Sequence, residues 1–285
     1  MLIKCLKSLL PSRPLIDSQC EITSLKSDFL NLGCGSTYHL DWDNFDLVPS
    51  HDSIRPIDLL KKLPFRDDSY GFCYSSHVLE HMPRSQAPLF LREIHRILRP
   101  GGVVRIVVPD LEGIVRRYLH ELESVVSGDE SAHARHEWML IELLDQLTRT
   151  FSGGFMGRLW HSRPLASRSL IEDRLGDEAR KWLQKLDHDF LHGAIPISPL
   201  QIFDAPVSSP ENELSFRKKG EIHRWMYDHV SLGRLLREAG FHQIERCESS
   251  KSRLPDFHTY LLDADRDGIV RKPDSLFMEA IKPKP

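Results

Sequence analysis

The sequence predicts an α/β protein whose mostly parallel sheet is doubly wound, with helices on both faces. Three observations predict it. The apolar run Phe29 to Leu32 is stopped by Gly33-Cys34-Gly35. The segment "APLFLREIHRILRPGG" is a helix apolar on one face, followed at once by the β-branched run "VVRIVVPD". Strand and helix patterns of the same kind return after residue 222, beyond a long helical stretch. Strands that alternate with helices need crossover connections, and those place helices against a parallel sheet.

Each element follows from its local pattern. Phe29 to Gly33 reads as a short buried strand ended by glycine, and Asn44 to Val48 as a second, ended by Pro49. Gly71 to Ser76 is a third. In the helix that follows, Phe90, Ile94, Ile97 and Leu98 share one side, and Arg99-Pro100-Gly101-Gly102 is a strong stop signal. Val103 to Asp110 is a strand ended by Pro109. Leu111, Ile114, Val115, Tyr118, Leu119 and Leu122 then mark one amphipathic helix, and "HEWMLIELLDQLTRTF" a second. Residues 151–222 are mixed, with "FSGGFMG", "GAIPISP" and "DAPVSSPENE" as loop-like pieces. An insertion of roughly 110 residues is far too long for a connection and must be a subdomain or lid. Ser231 to Phe241 is a helix opened by Ser231 and closed by Gly240. "HQIERCES" and "SLFMEAIKP" are closing strands. The expected divisions are 1–28 as an amino-terminal capping segment, 29–110 as a core, 111–222 as the helical insertion after the fifth strand-like element, and 223–285 as the return of the core.

Composition narrows the function. The chain has 285 residues, 40% of them hydrophobic and 28% charged, with a net charge of -3. There is no long Lys/Arg block, so a nucleic-acid polyanion is not the expected partner, since its affinity rests on neutralised phosphates. The five cysteines, Cys5, Cys20, Cys34, Cys73 and Cys247, are odd in number, widely spaced and without a CxxC pair. They read as free thiols in a reducing, cytoplasmic compartment. No apolar run approaches the ~20 residues of a membrane span. Residues 1–14, "MLIKCLKSLLPSRP", form a short basic amphipathic segment. It offers a weak peripheral membrane contact through its leucines and lysines, or packs as a terminal helix.

The two glycines after the first strand need a reason. A parallel α/β sheet takes its ligand at the carboxyl ends of its strands. A glycine turn there lets a ligand approach the backbone and meet its N–H groups. An acid at the end of the second strand, Asp46, can accept hydrogen bonds from ribose hydroxyls. The motif lacks a third glycine at the dinucleotide spacing and any GK[ST], so dinucleotides and P-loop nucleotides fit poorly.

With "NLGCG" (31–35), Asp46, "IDLLKKLPF" (57–65), "SSHVLEH" (75–81), "ILRPGG" (97–102), "LLREAGF" (235–241) and "LFMEAIK" (276–282) in this order, the chain resembles the class I S-adenosylmethionine (SAM)-dependent methyltransferases of the type 11 kind. "HRWMYDHVSLGRLLREAGF" and "EWMLIELLDQLTRTFSGGFMGR" resemble a branch often associated with bacterial surface-polysaccharide biosynthesis. The resemblance implies a seven-stranded Rossmann-like sheet, SAM as cofactor, and methyl transfer to a hydroxyl, amine or carboxyl of a small molecule or glycan intermediate. It implies that Leu32, Gly33, Cys34 and Gly35 wrap the methionine part of SAM, the turn offering backbone N–H groups to its carboxylate. Asp46 would hold the ribose, Asp58 and Leu59 the adenine, and Ser76 and His77 would lie beside the sulfonium. Ten residues separate Gly35 from Asp46, which is short for a crossover with a full helix. A single turn or a shortened helix is expected there, and Asp43 competes with Asp46 for the ribose.

Methyl transfer requires an acceptor held within ~3–3.5 Å of the methyl, and a hydroxyl acceptor gains from a general base. His77 and His81 are i and i+4 and share a face if this piece is helical. Asp145 and Arg149, also i and i+4, are either a surface ion pair or a substrate-facing pair. His223 and Tyr227, with Trp225, could line the acceptor mouth or pack. His133 with His136 and His188 with His192 have helical spacing but no HExxH form and no cysteine pair, so no metal is expected. Two other readings stay open: a SAM-fold enzyme with non-methyl, metal-assisted chemistry, and a non-catalytic SAM-binding partner protein.

Overall fold

A computed structural model describes residues 22, 25–204 and 208–285. The expected amino-terminal segment, with residues 1–14, Cys5 and Cys20, lies outside the described residues. The chain divides into two compact units. The described part of the sheet unit runs up to Asp110 and takes in Arg224–Ile269 and Ser275–Pro285. That of the helical unit comprises Leu111–His223 and Val270–Asp274.

The sheet unit contains β1 (Phe29–Leu32), β2 (Asp43–Asp46), β3 (Ile54–Pro56), β4 (Tyr70–Ser76), β5 (Leu98–Pro109), β6 (His242–Cys247) and β7 (Ser275–Ile281). Their spatial order is β3-β2-β1-β4-β5-β7-β6. The first five are parallel, and β7 runs antiparallel between β5 and β6. This is the seven-stranded, Rossmann-like arrangement that the resemblance implies. Because β7 is reversed, its first residue, Ser275, pairs with Pro109 at the carboxyl end of β5.

Two helices pack on one face. α1 (Ala87–Ile97) buries Ala87, Phe90, Leu91, Ile94 and Ile97, each of the large ones stabilising by about 1.5–3 kcal/mol. The last helix of the unit (His229–Glu238) buries Leu232, Leu235 and Leu236 in the same core as Leu30, Leu32 and Cys73. It starts earlier than the sequence suggests. Asp228 is the cap and accepts from the Ser231 N–H at 2.7 Å, while the Ser231 hydroxyl takes the Asp228 N–H at 3.1 Å. Ser231 is therefore the reciprocal partner of the cap. On the other face Trp42 meets Phe72, Tyr74, Phe257 and Tyr260 edge to face. Of the single turn or shortened helix expected between β1 and β2, no helix forms; turns there deliver Trp42 onto the sheet.

α1 ends at Ile97, directly before Arg99-Pro100-Gly101-Gly102 as the stop signal implies, but those four residues lie inside β5, because Leu98 already pairs with Tyr70. The ladder shifts register between Tyr70 and Phe72, and Gly101 stands at φ 84°. β3 was not predicted, and its three residues, Ile54-Arg55-Pro56, carry no pattern of their own.

The helical unit contains, in chain order after α1, α2 (Leu111–Val126), α3 (Ala132–Thr148), α4 (Gly154–Trp160), α5 (Arg168–Leu175), α6 (Asp177–Leu191) and α7 (Pro210–Arg217); the helix at His229–Glu238 is then α8. α2 and α3 pack together, and Trp138 and Trp160 are buried. "FSGGFMG", expected as loop, mostly forms α4, and "PENE" opens α7. A side chain from α3 explains the first of these. Asp145 accepts from the Phe155 N–H at 2.8 Å and the Met156 N–H at 3.4 Å, supplying from a distance the cap that Gly153 lacks.

Candidate functional site

The carboxyl ends of β1, β2 and β4 gather most of the expected cofactor residues. Gly33 and Gly35 have left-handed backbones, φ 72° and 56°, but for different reasons. A Cβ at Gly33 would overlap Val78 Cγ2, so Gly33 serves the close passage of the 77–82 segment. A Cβ at Gly35 would meet nothing within 4 Å. The second glycine faces open space.

The N–H groups of this turn are used within the protein. Gly33 and Cys34 both donate to the Phe45 carbonyl, at 2.8 and 3.1 Å, and Gly35 donates to Asp46 Oδ2 at 2.7 Å. This corrects the expectation that the three offer N–H groups to a ligand carboxylate. They close the turn instead. Cys34 is buried, and burial, then the Asp46 charge, push its thiol well up. Leu32 is a core residue, and its contribution to the rim is a carbonyl that takes the Ser75 hydroxyl at 3.1 Å.

The choice between Asp43 and Asp46 has a structural basis. Asp43 opens β2, is 2% exposed, pairs with Arg55 at 2.6 Å and accepts from Tyr70 Oη at 3.2 Å. Asp46 closes β2 beside Gly35, accepts from the Val48 N–H at 3.0 Å through Oδ1, and remains half-buried. A carboxylate has about four lone-pair sites, so two N–H donors leave it room for further donors. Asp58 lies just past β3. It caps a turn by accepting from the Leu60 N–H at 3.0 Å and sits 3.7 Å from Lys61. Leu59 packs against the core.

Ser76 ends β4, and His77 follows with φ 54°, a conformation uncommon outside glycine. Helical structure begins only with the single turn Leu79–His81, so His77 and His81 do not share a helix face. The His77 N–H donates to the Val107 carbonyl at 2.8 Å. Nε2 of the ring is hydrogen-bonded with Ser275 Oγ at 2.9 Å, and Nδ1 lies 3.2 Å from Glu80 Oε1, a charge-pair contact. Glu80 is completely buried, and its carbonyl takes the Arg224 and Trp225 N–H groups at 2.6 and 3.2 Å. That strap leads to Tyr227, which bridges to Asp110. Tyr227 is a core residue; burial pushes its phenol up to about 12, Arg84 opposing. Trp225 is 44% exposed, with the Arg84 guanidinium 5.2 Å above its ring.

From the sequence Glu80 reads only as a solvated or hydrogen-bonding residue, and Ser275 is not singled out. Ser275 meets His77 across 198 positions, and no local spacing announces such a contact.

The remaining candidates belong to the helical unit. Asp145 and Arg149 are neither a surface pair nor open to a ligand. Their side chains are 1% and 3% exposed and 2.7 Å apart. Arg149 also reaches Glu221 at 3.2 Å, and Glu221 takes the Gly153 N–H at 2.8 Å, so the group fastens the start of α4. His223 is buried and donates its N–H to the Gln146 carbonyl at 2.8 Å. His188 and His192 stack with ring centroids 4.1 Å apart. Among the described residues, no helix is long and apolar enough to cross a membrane, and Cys34, Cys73 and Cys247 are free thiols.

Residues 54–106, from β3 into β5, match the family model described as a methyltransferase domain. None of the curated proteins matches the chain. Among solved structures, the chain is similar to one in the complex between the Haloferax volcanii Trm112 methyltransferase activator and a provisionally assigned methyltransferase. The identity there is 14%, 93% of this chain and 84% of that one are covered, and the TM-score is 0.37. It is also similar to an S-adenosylmethionine-dependent methyltransferase from Mesorhizobium loti, at 15% identity, 89% coverage of each chain and a TM-score of 0.34. A third is phosphoethanolamine N-methyltransferase 2 of Haemonchus contortus with S-adenosylhomocysteine, at 10% identity, 93% and 50% coverage and a TM-score of 0.35. Likenesses of this size carry no argument about activity.

Proposed function

We propose that this protein is a SAM-dependent methyltransferase that methylates a hydroxyl, amine or carboxyl of a small molecule or glycan intermediate, in the cytoplasm. One observation carries the reading. At the carboxyl edge of a parallel sheet, Gly35 turns with open space at its Cβ position while the Asp46 carboxylate stands beside it with lone pairs to spare. The match of residues 54–106 to a methyltransferase domain supports it from the adjoining strands.

These residues suit an adenosyl sulfonium. Asp46 would accept from the ribose hydroxyls, Asp58 from the adenine amine, and Leu59 would lie against the ring. Ser76 and His77 would border the sulfonium. When bound, the cofactor supplies an activated methyl group, so the protein need only place the acceptor in line and keep water out. His77 is held by Glu80 and Ser275 and could keep a proton from a hydroxyl acceptor; His81 is the alternative base. The exposed Trp225 would suit a sugar or an aromatic acceptor on the part of its ring that Arg84 leaves uncovered. That feature, with the sequence resemblance to the polysaccharide-associated branch, favours a glycan intermediate.

Isothermal titration with SAM and S-adenosylhomocysteine tests the reading. Wild type should bind both. Asp46→Ala should weaken binding about 10- to 100-fold, the value of a hydrogen bond or two to a charged group. Absence of binding by the wild type overturns the proposal. Labelled SAM with candidate acceptors then separates methyl transfer from binding alone.

A further inference from the structure

The methyl-transfer reading uses His77 but leaves Ser275 and Glu80 as mere supports. Together the three make a line of carboxylate, imidazole and hydroxyl. Glu80 Oε1 lies 3.2 Å from His77 Nδ1, and His77 Nε2 lies 2.9 Å from Ser275 Oγ. A carboxylate at Nδ1 favours the tautomer with the proton on Nδ1, which leaves the Nε2 lone pair facing the hydroxyl. Such an arrangement is recognised by geometry and roles, whatever the fold and chain order.

The surroundings hold this line firmly. His77 keeps a left-handed backbone, a strain on the order of 1–3 kcal/mol that persists only where neighbours fix it. Its N–H is tied to Val107, and both ring nitrogens have partners. Ser275 is paired with Pro109 and so stands at the ligand-bearing rim of the sheet. Ser275 is 8% exposed and the His77 side chain 11%.

We propose that Ser275 is a nucleophile, with His77 as its base and Glu80 as the positioning residue, and that this rim cleaves carboxylic esters of small molecules as a second activity. Ser275 Oγ bonds to the ester carbonyl carbon as its proton passes to His77 Nε2. The bond to the leaving alcohol then breaks, and the alcohol departs with that proton. Water, giving a proton to His77, attacks the acyl-serine; the acid is released and Ser275 Oγ recovers the proton. This second activity rests on the Glu80–His77–Ser275 geometry and not on SAM binding, although both readings place His77 at the same rim.

The test uses the full chain, a fluorophosphonate probe and peptide mass spectrometry, with p-nitrophenyl acetate hydrolysis beside it. Wild type should carry one adduct, on Ser275, and hydrolyse the ester; Ser275→Ala should do neither. His77→Asn, a residue that tolerates the left-handed backbone, should label about a hundredfold more slowly or less, and Glu80→Gln should fall between it and wild type. Circular dichroism checks that each variant is folded. No adduct on Ser275 in folded wild type, labelling of His77→Asn at the wild-type rate, or an adduct with no ester turnover overturns the proposal, and none of these bears on SAM titration.

Discussion

The two units bury charge in different ways. In the sheet unit, Arg105 is fully buried on β5, and its partners lie far along the chain: Asp263 at 2.7 Å and Glu279 at 2.8 Å, 158 and 174 positions away. It also donates to the carbonyls of Lys251 and Glu248 and stands over the Phe257 ring. In the helical unit, several buried acids meet a cation one helical turn away or on the facing helix, although Arg149 also reaches Glu221, 72 positions on, and Glu142 meets Arg174, 32 positions on. Arg117 with Glu121 and Arg149 with Asp145 are i and i+4 pairs, and Arg135 reaches Glu121 from α3. The helical spacing that drew notice to Asp145 and Arg149 thus marked a fastening within the unit. The rim constellation, Glu80–His77–Ser275, depends on a long-range contact and left no mark in the spacing.

That contrast can be broken by two substitutions with the largest expected effects. Arg105→Ala leaves Asp263 and Glu279 buried without a counter-charge, which should cost about 3–5 kcal/mol. Burial already pushes the Asp263 carboxyl upward, Arg105 opposing it, so part of the cost would be relieved by proton uptake. Arg149→Ala should cost less, about 1–3 kcal/mol, because Asp145 keeps the Phe155 and Met156 N–H donors. Urea denaturation of both variants measures the difference, and equal losses would show that the two units do not differ in this respect.

The glycine pair gives a smaller test inside the sheet unit. Gly33→Ala brings a methyl into Val78 in addition to backbone strain, and should cost roughly 2–4 kcal/mol. Gly35→Ala carries the left-handed strain alone, roughly 1–2 kcal/mol. Thermal melts should rank Gly33→Ala below Gly35→Ala. If they are equal, the close passage of Val78 is not what requires the first glycine. SAM titration should rank them the other way for folded protein, since only Gly35 faces open space.

Much of this architecture was legible in the sequence where local pattern and tertiary role agree. Phe29 to Leu32 is mostly apolar, and Val103 to Val108 mostly β-branched, because both are central strands largely buried on both faces. α1 was legible because its apolar spacing is its packing face. The misreadings arise where a distant partner decides. Gly153-Gly154 spells a turn, yet α4 starts there because Asp145 caps it from α3. Arg99-Pro100-Gly101-Gly102 spells a helix stop, and α1 does end at Ile97, but pairing of Leu98 with Tyr70 starts β5 earlier than Val103. Asp46, picked out inside an apolar strand pattern, does close β2 beside Gly35, whereas the internal use of the turn's N–H groups and the contacts of Glu80 and Ser275 were not legible. A sequence window cannot show which backbone donors a neighbouring strand has already taken.

The smallest expected effect sharpens the comparison from the helical unit. Asp274 is half-buried at the end of the short segment that this unit takes from the chain just before β7. Burial first, then the charge of Glu142, push its carboxyl up to about 7, with Arg174 and Lys272 pulling the other way. Glu142 is itself gripped by Arg174 at 2.6 Å, so the cation is already committed when Asp274 ionises. The sign follows from proton linkage. A carboxyl whose folded pKa lies above its ordinary value of 3.8 holds its proton more tightly in the folded state. Its stabilising contribution is complete below pH 4, falls between about pH 4 and 7, and is gone above that window. Asp274→Asn should therefore leave stability unchanged near pH 4 and raise it by about 1 kcal/mol at pH 8, well short of the full linkage value because water reaches part of the carboxyl. Urea midpoints for wild type and variant across pH 4–8 measure this. Parallel curves would mean that Asp274 titrates as an ordinary carboxylate and that Arg174 serves both acids; converging curves at low pH would mean that the helical unit, for all its close ion pairs, holds one acid it cannot fully compensate.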